Sequence, residues 1–199
     1  MPSSPPPASS TAGDDRTVRL PSAASPVKLA RVKVPKTLER LAVEVEGWLD
    51  LGCPEHALGR MAPLLETPNA RPVALLLRIR ALVDLERYAE ALDALDEIAY
   101  FEHDPEWRLV TEGRCRRRLD DLEGATRCMR RLIEVDPRSA VGHYNLACYL
   151  ALAGETEEAL EQVTIACGMD EALRTHAVTE TDLDVLRDDP RFAALMPSG

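Results

Sequence analysis

The sequence predicts an all-α fold: a solenoid of stacked antiparallel helix pairs, closed at its C-terminal end by a short helical cap. Three observations predict it. Apolar and small residues recur in register every 34 residues through four stretches of chain, with no gap needed. Turn-forming residues recur midway through those stretches and between them. Aromatic residues make up only 4% of the chain, with two Phe, whereas a large β-sandwich or barrel draws on more aromatic and β-branched side chains. The length of 199 residues suits one domain with a real core plus a tail, and 45% hydrophobic with 29% charged residues is ordinary for a globular chain. No apolar run approaches the ~18 residues of a membrane-spanning helix.

Residues 1–36 read as a disordered tail. Seven of the 15 prolines and six serines fall in residues 1–35. That composition buries too little apolar surface to offset chain entropy. The segment lacks the basic start and apolar centre of a signal peptide. Pro2, Pro5, Pro6 and Pro7 have the composition of a short polyproline II stretch. Six basic residues, Arg16, Arg19, Lys28, Arg31, Lys33 and Lys36, face only Asp14 and Asp15, so the tail is +4; with the whole chain at −10, the remainder carries −14. A basic tail on an acidic body is either a solvated linker or a loose contact to an acidic surface.

Residues 37–171 hold the four repeats. Ala57, Ala91, Ala125 and Ala159 form one column. Leu58, Leu92, Thr126 and Leu160 come one position later; Met61, Leu95, Met129 and Val163 lie four after the alanine; Leu64, Ile98, Leu132 and Ala166 lie three further on. Twelve positions before the alanine stand Val45, Ile79, Gly113 and Ala147. Such steps of one, three and three place the side chains on one helical face. Turns divide each repeat at Gly52-Cys53-Pro54, Glu86-Arg87, Asp120-Asp121 and Gly154-Glu155. Thr67-Pro68, Asp104-Pro105 and Asp136-Pro137 separate the repeats, and Asp-Pro is a good helix start because Asp caps free N–H groups that proline does not add to. Each repeat is thus a pair of short helices that buries its apolar face only by stacking on its neighbours.

Two departures carry expectations. Arg116 and Arg117 stand where the other repeats carry apolar residues, so the first helix of repeat three should pack less well, or Arg116 should pair with Glu112 one turn away. Pro63 falls inside the second helix of repeat one and should kink or shorten it.

Residues 172–199 read as capping helices rather than a fifth repeat. Ala172, Leu173 and Ala177, then Leu183 and Leu186, then Phe192 and Leu195 mark short helical pieces, the last started by Asp189-Pro190. An open solenoid end needs a cover with a polar outside. Glu180, Asp182, Asp184, Asp188 and Asp189 are expected to supply it. An acidic binding tail is the alternative, and the interspersed Leu and Phe favour packing.

The repeats resemble the tetratricopeptide repeat family, whose unit is a helix–turn–helix of 34 residues. Tyr144-Asn145-Leu146-Ala147, Ala153-Gly154 and Glu158-Ala159-Leu160 match its pattern in repeat four. Arg87-Tyr88-Ala89-Glu90-Ala91-Leu92 match it in repeat two, Glu134-Val135-Asp136-Pro137 in repeat three, and Trp48-Leu49 with Pro54-Glu55-His56-Ala57-Leu58 in repeat one. The resemblance implies a right-handed superhelical solenoid and a role in protein–protein interaction, with the first helices lining a concave groove for a peptide or partner helix. It further implies which positions face that groove: Glu39, Ala42, Glu46, Leu49 and Asp50; Val73, Leu76, Arg80, Val83 and Asp84; Trp107, Val110, Arg114, Arg117 and Arg118; Val141, Tyr144, Cys148, Ala151 and Leu152.

In that set Arg80, Arg114, Arg117 and Arg118 form a basic patch flanked by Trp107 and Tyr144, with Asp84 and Cys148 beside it. Arginine with an aromatic neighbour is the composition of a binding hot spot. The expected ligand is a protein or peptide segment with negative charge and at least one apolar side chain. The plainer reading is a solvated arginine run balanced by Asp120, Asp121 and Glu123. Some family members clamp the acidic C-terminus of heat-shock chaperones with Lys and Asn. Ala42 and Glu46 stand in those places here, so that clamp does not carry over. A small acidic secretion-type chaperone and a helical regulatory subunit of an enzyme are the alternative readings to a scaffold or adaptor.

Other chemistry finds no support in the sequence. There is no phosphate-binding Gly-rich loop, nucleophile elbow or strand–helix alternation, so neither an enzyme nor a cofactor is expected. The net charge of −10 argues against nucleic acid and anionic membranes as partners. Cys53, Cys115, Cys128, Cys148 and Cys167 are odd in number with none closer than 13 residues, which argues against a disulfide framework or zinc site and for reduced, apolar core cysteines in a cytoplasmic protein. His56, His103, His143 and His176 lack metal-ligand spacing.

Overall fold

A computed structural model describes residues 34–99 and 104–196. The reading of residues 1–33 as a disordered tail lies outside the described residues. Among them there are helices and no strand. Repeat one is α1 (Lys36–Asp50) with α2 (Pro54–Arg60) and α3 (Ala62–Glu66); repeat two is α4 (Arg71–Asp84) and α5 (Tyr88–Ile98). Repeat three is α6 (Pro105–Arg118) and α7 (Leu122–Val135); repeat four is α8 (Ala140–Ala153) and α9 (Thr156–Met169). After them come α10 (Ala172–Thr179), a 3-10 helix (Thr181–Leu186) and α11 (Pro190–Leu195). Each helix packs on its partner, and each first helix packs on the preceding pair. The result is an all-α solenoid.

The 34-residue columns are the core. Ala57, Ala91, Ala125 and Ala159 are fully buried, as are Val45, Ala147, Leu64, Leu132, Met129 and Val163. Alanine there lets the paired helices approach, and the larger residues one turn on fill the space between them. Gly113 lies in the same register as Val45, Ile79 and Ala147; a Cβ on it would stand 3.0 Å from Met129 Cε, so repeat three is drawn closer at this point. The buried residues form three clusters along the axis, and the largest runs from Leu109 to Phe192.

The turns repeat as well. Gly52, Glu86, Asp120 and Gly154 all have positive φ, at 70°, 56°, 61° and 82°. These residues are 34 apart, so every repeat turns through a left-handed residue, although only two repeats place glycine there. Helix starts obey the sequence in part. The Asp104 carboxylate accepts from Trp107 N–H at 3.3 Å, and that of Asp189 from Arg191 N–H at 2.8 Å, both ahead of proline. Asp136-Pro137 behaves differently from expectation. Asp136 ends α7, and Ser139 caps α8 by accepting from Gly142 N–H at 3.0 Å. Pro63 breaks its helix as expected: α2 and α3 are separate helices meeting at Met61, because proline has no N–H for the ladder.

Candidate functional site

The first helices α1, α4, α6 and α8 carry the residues singled out in the sequence, and ion pairs link them between repeats. Arg80 on α4 donates to Asp50 on α1 at 2.8 Å and lies 4.0 Å from Asp84. Arg118 at the end of α6 donates to Glu86 in the preceding repeat at 3.4 Å, and its guanidinium stands 5.3 Å from the centre of the Tyr88 ring. Burial raises the Tyr88 phenol above its ordinary value, while the Arg118 charge works against that rise. Arg114 is half-buried on the same helix, and its charge also bears on Tyr88. Trp107 is half-buried against the cluster of Leu75, Ile79 and Leu82.

Arg116 pairs with Glu112 as expected, at 3.0 Å, and also with Asp121 at 3.0 Å. Burial opposes its charge, but the hydrogen bonds to Asp121 and Glu112 outweigh that and raise its pKa. The Asp121 carboxyl is held below its ordinary value, first by the Gly124 N–H it caps and then by Arg116. The third repeat therefore satisfies its charges within the chain, through partners on its own helix and on its neighbours.

Arg117 has the least expected partner. Its guanidinium grips both carboxylate oxygens of Asp182, at 2.6 and 3.1 Å, across 65 residues of sequence. The 3-10 helix that carries Asp182 lies against α8 and α9, and this pair ties it to α6. Leu183 and Leu186 enter the same buried cluster as Val110, Tyr144, Cys148 and Ala151. The sequence reading is corrected here in two respects. Tyr144 and Cys148, expected to open onto the groove, are both at 0% exposure. Glu180 and Asp182, expected on the polar outside of the cap, are buried at 3% and 7% exposure. The physical reason is common to both: Leu183 and Leu186 gain by burial and draw the acids just before them, Glu180 and Asp182, inward, while Asp184 between them stays exposed.

Two polar details mark this covered face. Tyr144 Oη is buried and makes no hydrogen bond. Burial raises its pKa, and the nearby Cys148, Glu180, Cys167 and Asp182 add to the rise. Burial likewise lifts the Cys148 thiol well above its ordinary value and pushes Cys128 up to about 12, so these thiols behave as small core side chains. Four of the five cysteines are buried and all are free thiols.

The rest of the face is open. Glu39, Glu46, Asp50 and Asp84 are exposed, Ala42, Leu76, Arg80 and Val83 are half-buried, and Leu49 and Val73 are buried. No helix among the described residues is long and apolar enough to cross a membrane.

No family model matches the sequence, and no curated protein matches it. Solved structures do resemble the fold. A double mutant of MamA, described as MamA RS-1 ArsTM, superposes with a TM-score of 0.67 at 18% identity, covering 80% of this chain and 90% of that one. YrrB, described as a TPR protein with an unusual peptide-binding site, superposes with a TM-score of 0.60 at 16% identity, covering 80% of this chain and 87% of that one. The chain thus has a tetratricopeptide-type solenoid fold.

Proposed function

We propose that this chain is a non-enzymatic protein-interaction scaffold that holds a partner peptide or helix against its first helices. The observation that supports this best is internal. A short acidic, leucine-bearing segment of the chain lies on the face of α8 and is gripped by Arg117 of α6, the manner in which a groove of this composition would hold a peptide. The fold shared with YrrB, whose description names a peptide-binding site, is in keeping with it. The open part of the face, with Leu76 and Val83 beside Arg80 and Asp84 on one helix, offers apolar contact next to charges of both signs. An acidic segment with an apolar anchor fits Arg80 and Arg114 there, and neither nucleic acid nor a membrane is the partner.

The test is selection of binders from a peptide library on the immobilised full chain. Selected peptides should lose at least ~10-fold in affinity on the Leu76→Glu/Arg80→Glu variant, the scale of losing a hot-spot contact, while circular dichroism stays unchanged. Equal binding by parent and variant would move the site off this face.

A further inference from the structure

We propose that the face of α6 and α8 is itself a peptide site for segments of the pattern Asp-Leu-x-x-Leu, and that the chain's own Asp182, Leu183 and Leu186 fill it as an internal ligand which a partner peptide displaces. This rests on the scaffold reading above and names the chemistry of one of its partners.

The internal segment is built as a strap. Its two ends are anchored independently of its middle. On one side α10 packs on α9 through the buried Leu173 and Ala177. On the other, α11 buries Phe192, and Arg191 pairs with both Glu157 oxygens at 2.9 and 3.0 Å. Between these anchors the backbone hydrogen bonds stay local, Leu183 N–H to the Glu180 carbonyl and Arg187 N–H to the Asp184 carbonyl. Arg187 also donates to the Val178 and Glu180 carbonyls, which closes the strap on itself rather than on the repeats. Its grip on the solenoid includes side chains that a short peptide also carries: the two-pronged Arg117–Asp182 pair and the two buried leucines. A peptide in trans can copy each of these.

The fit of the internal segment is also incomplete. Tyr144 Oη lies under it, fully buried and without a hydrogen bond. A buried hydroxyl left unsatisfied is a destabilised group. A partner peptide that sets a carbonyl or carboxylate over Tyr144 gains a bond that the strap does not make. Meanwhile Asp184 and Val185 face solvent, so the outward side of the bound pattern is free to vary.

The experiment uses the full chain and a fluorescein-labelled peptide with the sequence of residues 179–187, monitored by fluorescence anisotropy. The parent chain should bind it weakly. The Asp182→Asn/Leu183→Ala chain, whose strap is loosened while the site is kept, should bind at least ~10-fold tighter. Adding Arg117→Ala should abolish that gain, and so should Asp→Asn in the peptide. Should the double variant lose helical content, hydrogen exchange on the parent chain decides. Excess peptide should speed exchange of amides 182–186 while α8 and α9 stay protected. A folded double variant that binds no tighter than the parent, or strap amides as protected as those of α8 and unmoved by peptide, overturns the proposal. So does a double variant that dimerises and takes no peptide, since a second chain's strap is then the occupant. Peptides selected on the Leu76–Arg80 surface would still bind in those cases, which separates failure of this inference from failure of the scaffold reading.

Discussion

The first helices of repeats three and four occupy the same place in consecutive repeats, yet different forces hold them. Every residue of α8 from Gly142 to Ala151 is buried, with α7 and α9 packed on it and the C-terminal strap across its remaining face. On α6 the buried residues are Leu109, Val110, Gly113 and Cys115. Much of the rest of α6 is arginine and glutamate in ion pairs with Glu112, Asp121, Asp182 and Glu86. In a solenoid the burial of a first helix depends on the element stacked after it. The helix α6 has the next repeat beside it, and its outer face remains available for charge. The helix α8 is where the array stops, so the chain's own end closes over it.

Truncation at matched positions should separate the two helices most. Tyr144 and Val110 share a register position. Tyr144→Ala should cost ~3–5 kcal/mol, the range for emptying a large aromatic site. Val110→Ala should cost ~1–2 kcal/mol for two buried methyl-sized groups. Urea titrations monitored by circular dichroism measure both, and equal losses would mean that the strap leaves α8 loosely packed. Tyr144→Phe sharpens the point. Because the hydroxyl has no partner, its removal should be neutral or slightly stabilising.

The next contrast is between two arginines of α6. Arg117→Ala leaves Asp182 buried without its two-pronged partner and should cost ~1–3 kcal/mol. Arg116 pairs with Glu112 and Asp121 near the surface, and its loss should cost under ~1 kcal/mol. Adding Asp182→Asn to Arg117→Ala should recover part of the loss in a double-mutant cycle, because the stranded charge is then gone. A cycle with no coupling would leave the strap held by its leucines alone.

These two arginines also show where the sequence is legible. Arg116 and Glu112 stand four apart on one helix, and a local rule finds such pairs. The alanine column, the glycine turns and the break at Pro63 are equally local or periodic, so they can be read directly. The Arg117–Asp182 pair spans 65 residues and obeys no period. In residues 172–199 the apolar spacing points Leu and Phe inward, and it leaves the side taken by the acids open. Helical pattern alone does not say which side of a short cap meets the repeats. The available signal is the run Asp182-Leu183 with Leu186, in which an acid adjoins residues that must be buried. Tyr144 and Cys148 escape the sequence for the same reason: the cover over them comes from outside the repeat pattern.

Helix caps give a smaller, pH-resolved version of the comparison. Asp121 caps α7 in repeat three, and Ser139 caps α8 at the start of repeat four. Replacing either by Ala should cost ~1 kcal/mol at pH 7. The Asp121 carboxyl is depressed in the folded chain, mainly by the Gly124 N–H and then by Arg116. Its contribution is therefore present above its unfolded pKa of about 3.9 and is lost as pH falls through the lower folded value. The cost of Asp121→Ala should fade in acid as its own charge is lost, whereas Ser139 is an uncharged cap that keeps its bond to Gly142 N–H in acid and is linked to a charge only through the bond its hydroxyl donates to Glu106 at 2.9 Å. Denaturation series from pH 7 down to pH 3 check this, and a pH-independent Asp121→Ala would mean that the cap works without its charge.

The smallest contrast lies in the two turns. Asp120 and Gly154 hold the same left-handed place, at φ of 61° and 82°. An L-residue there strains its backbone through its Cβ, by about 1 kcal/mol, and aspartate bears this better than most. Glycine removes the strain but gives the unfolded chain more freedom. Asp120→Gly should therefore stabilise by no more than ~0.5–1 kcal/mol, a rise of ~1–4 °C in Tm for a domain of this size. Gly154→Ala should destabilise by ~1 kcal/mol. A Cβ at Gly154 meets nothing within 4 Å, so that cost is conformational and not a clash. Glu86 is the wrong site for this test because its carboxylate also pairs with Arg118. Should Asp120→Gly lower Tm instead, the Asp120 side chain must contribute more to the turn than its strain costs, and repeat three would again be the one that relies on charge where repeat four relies on shape.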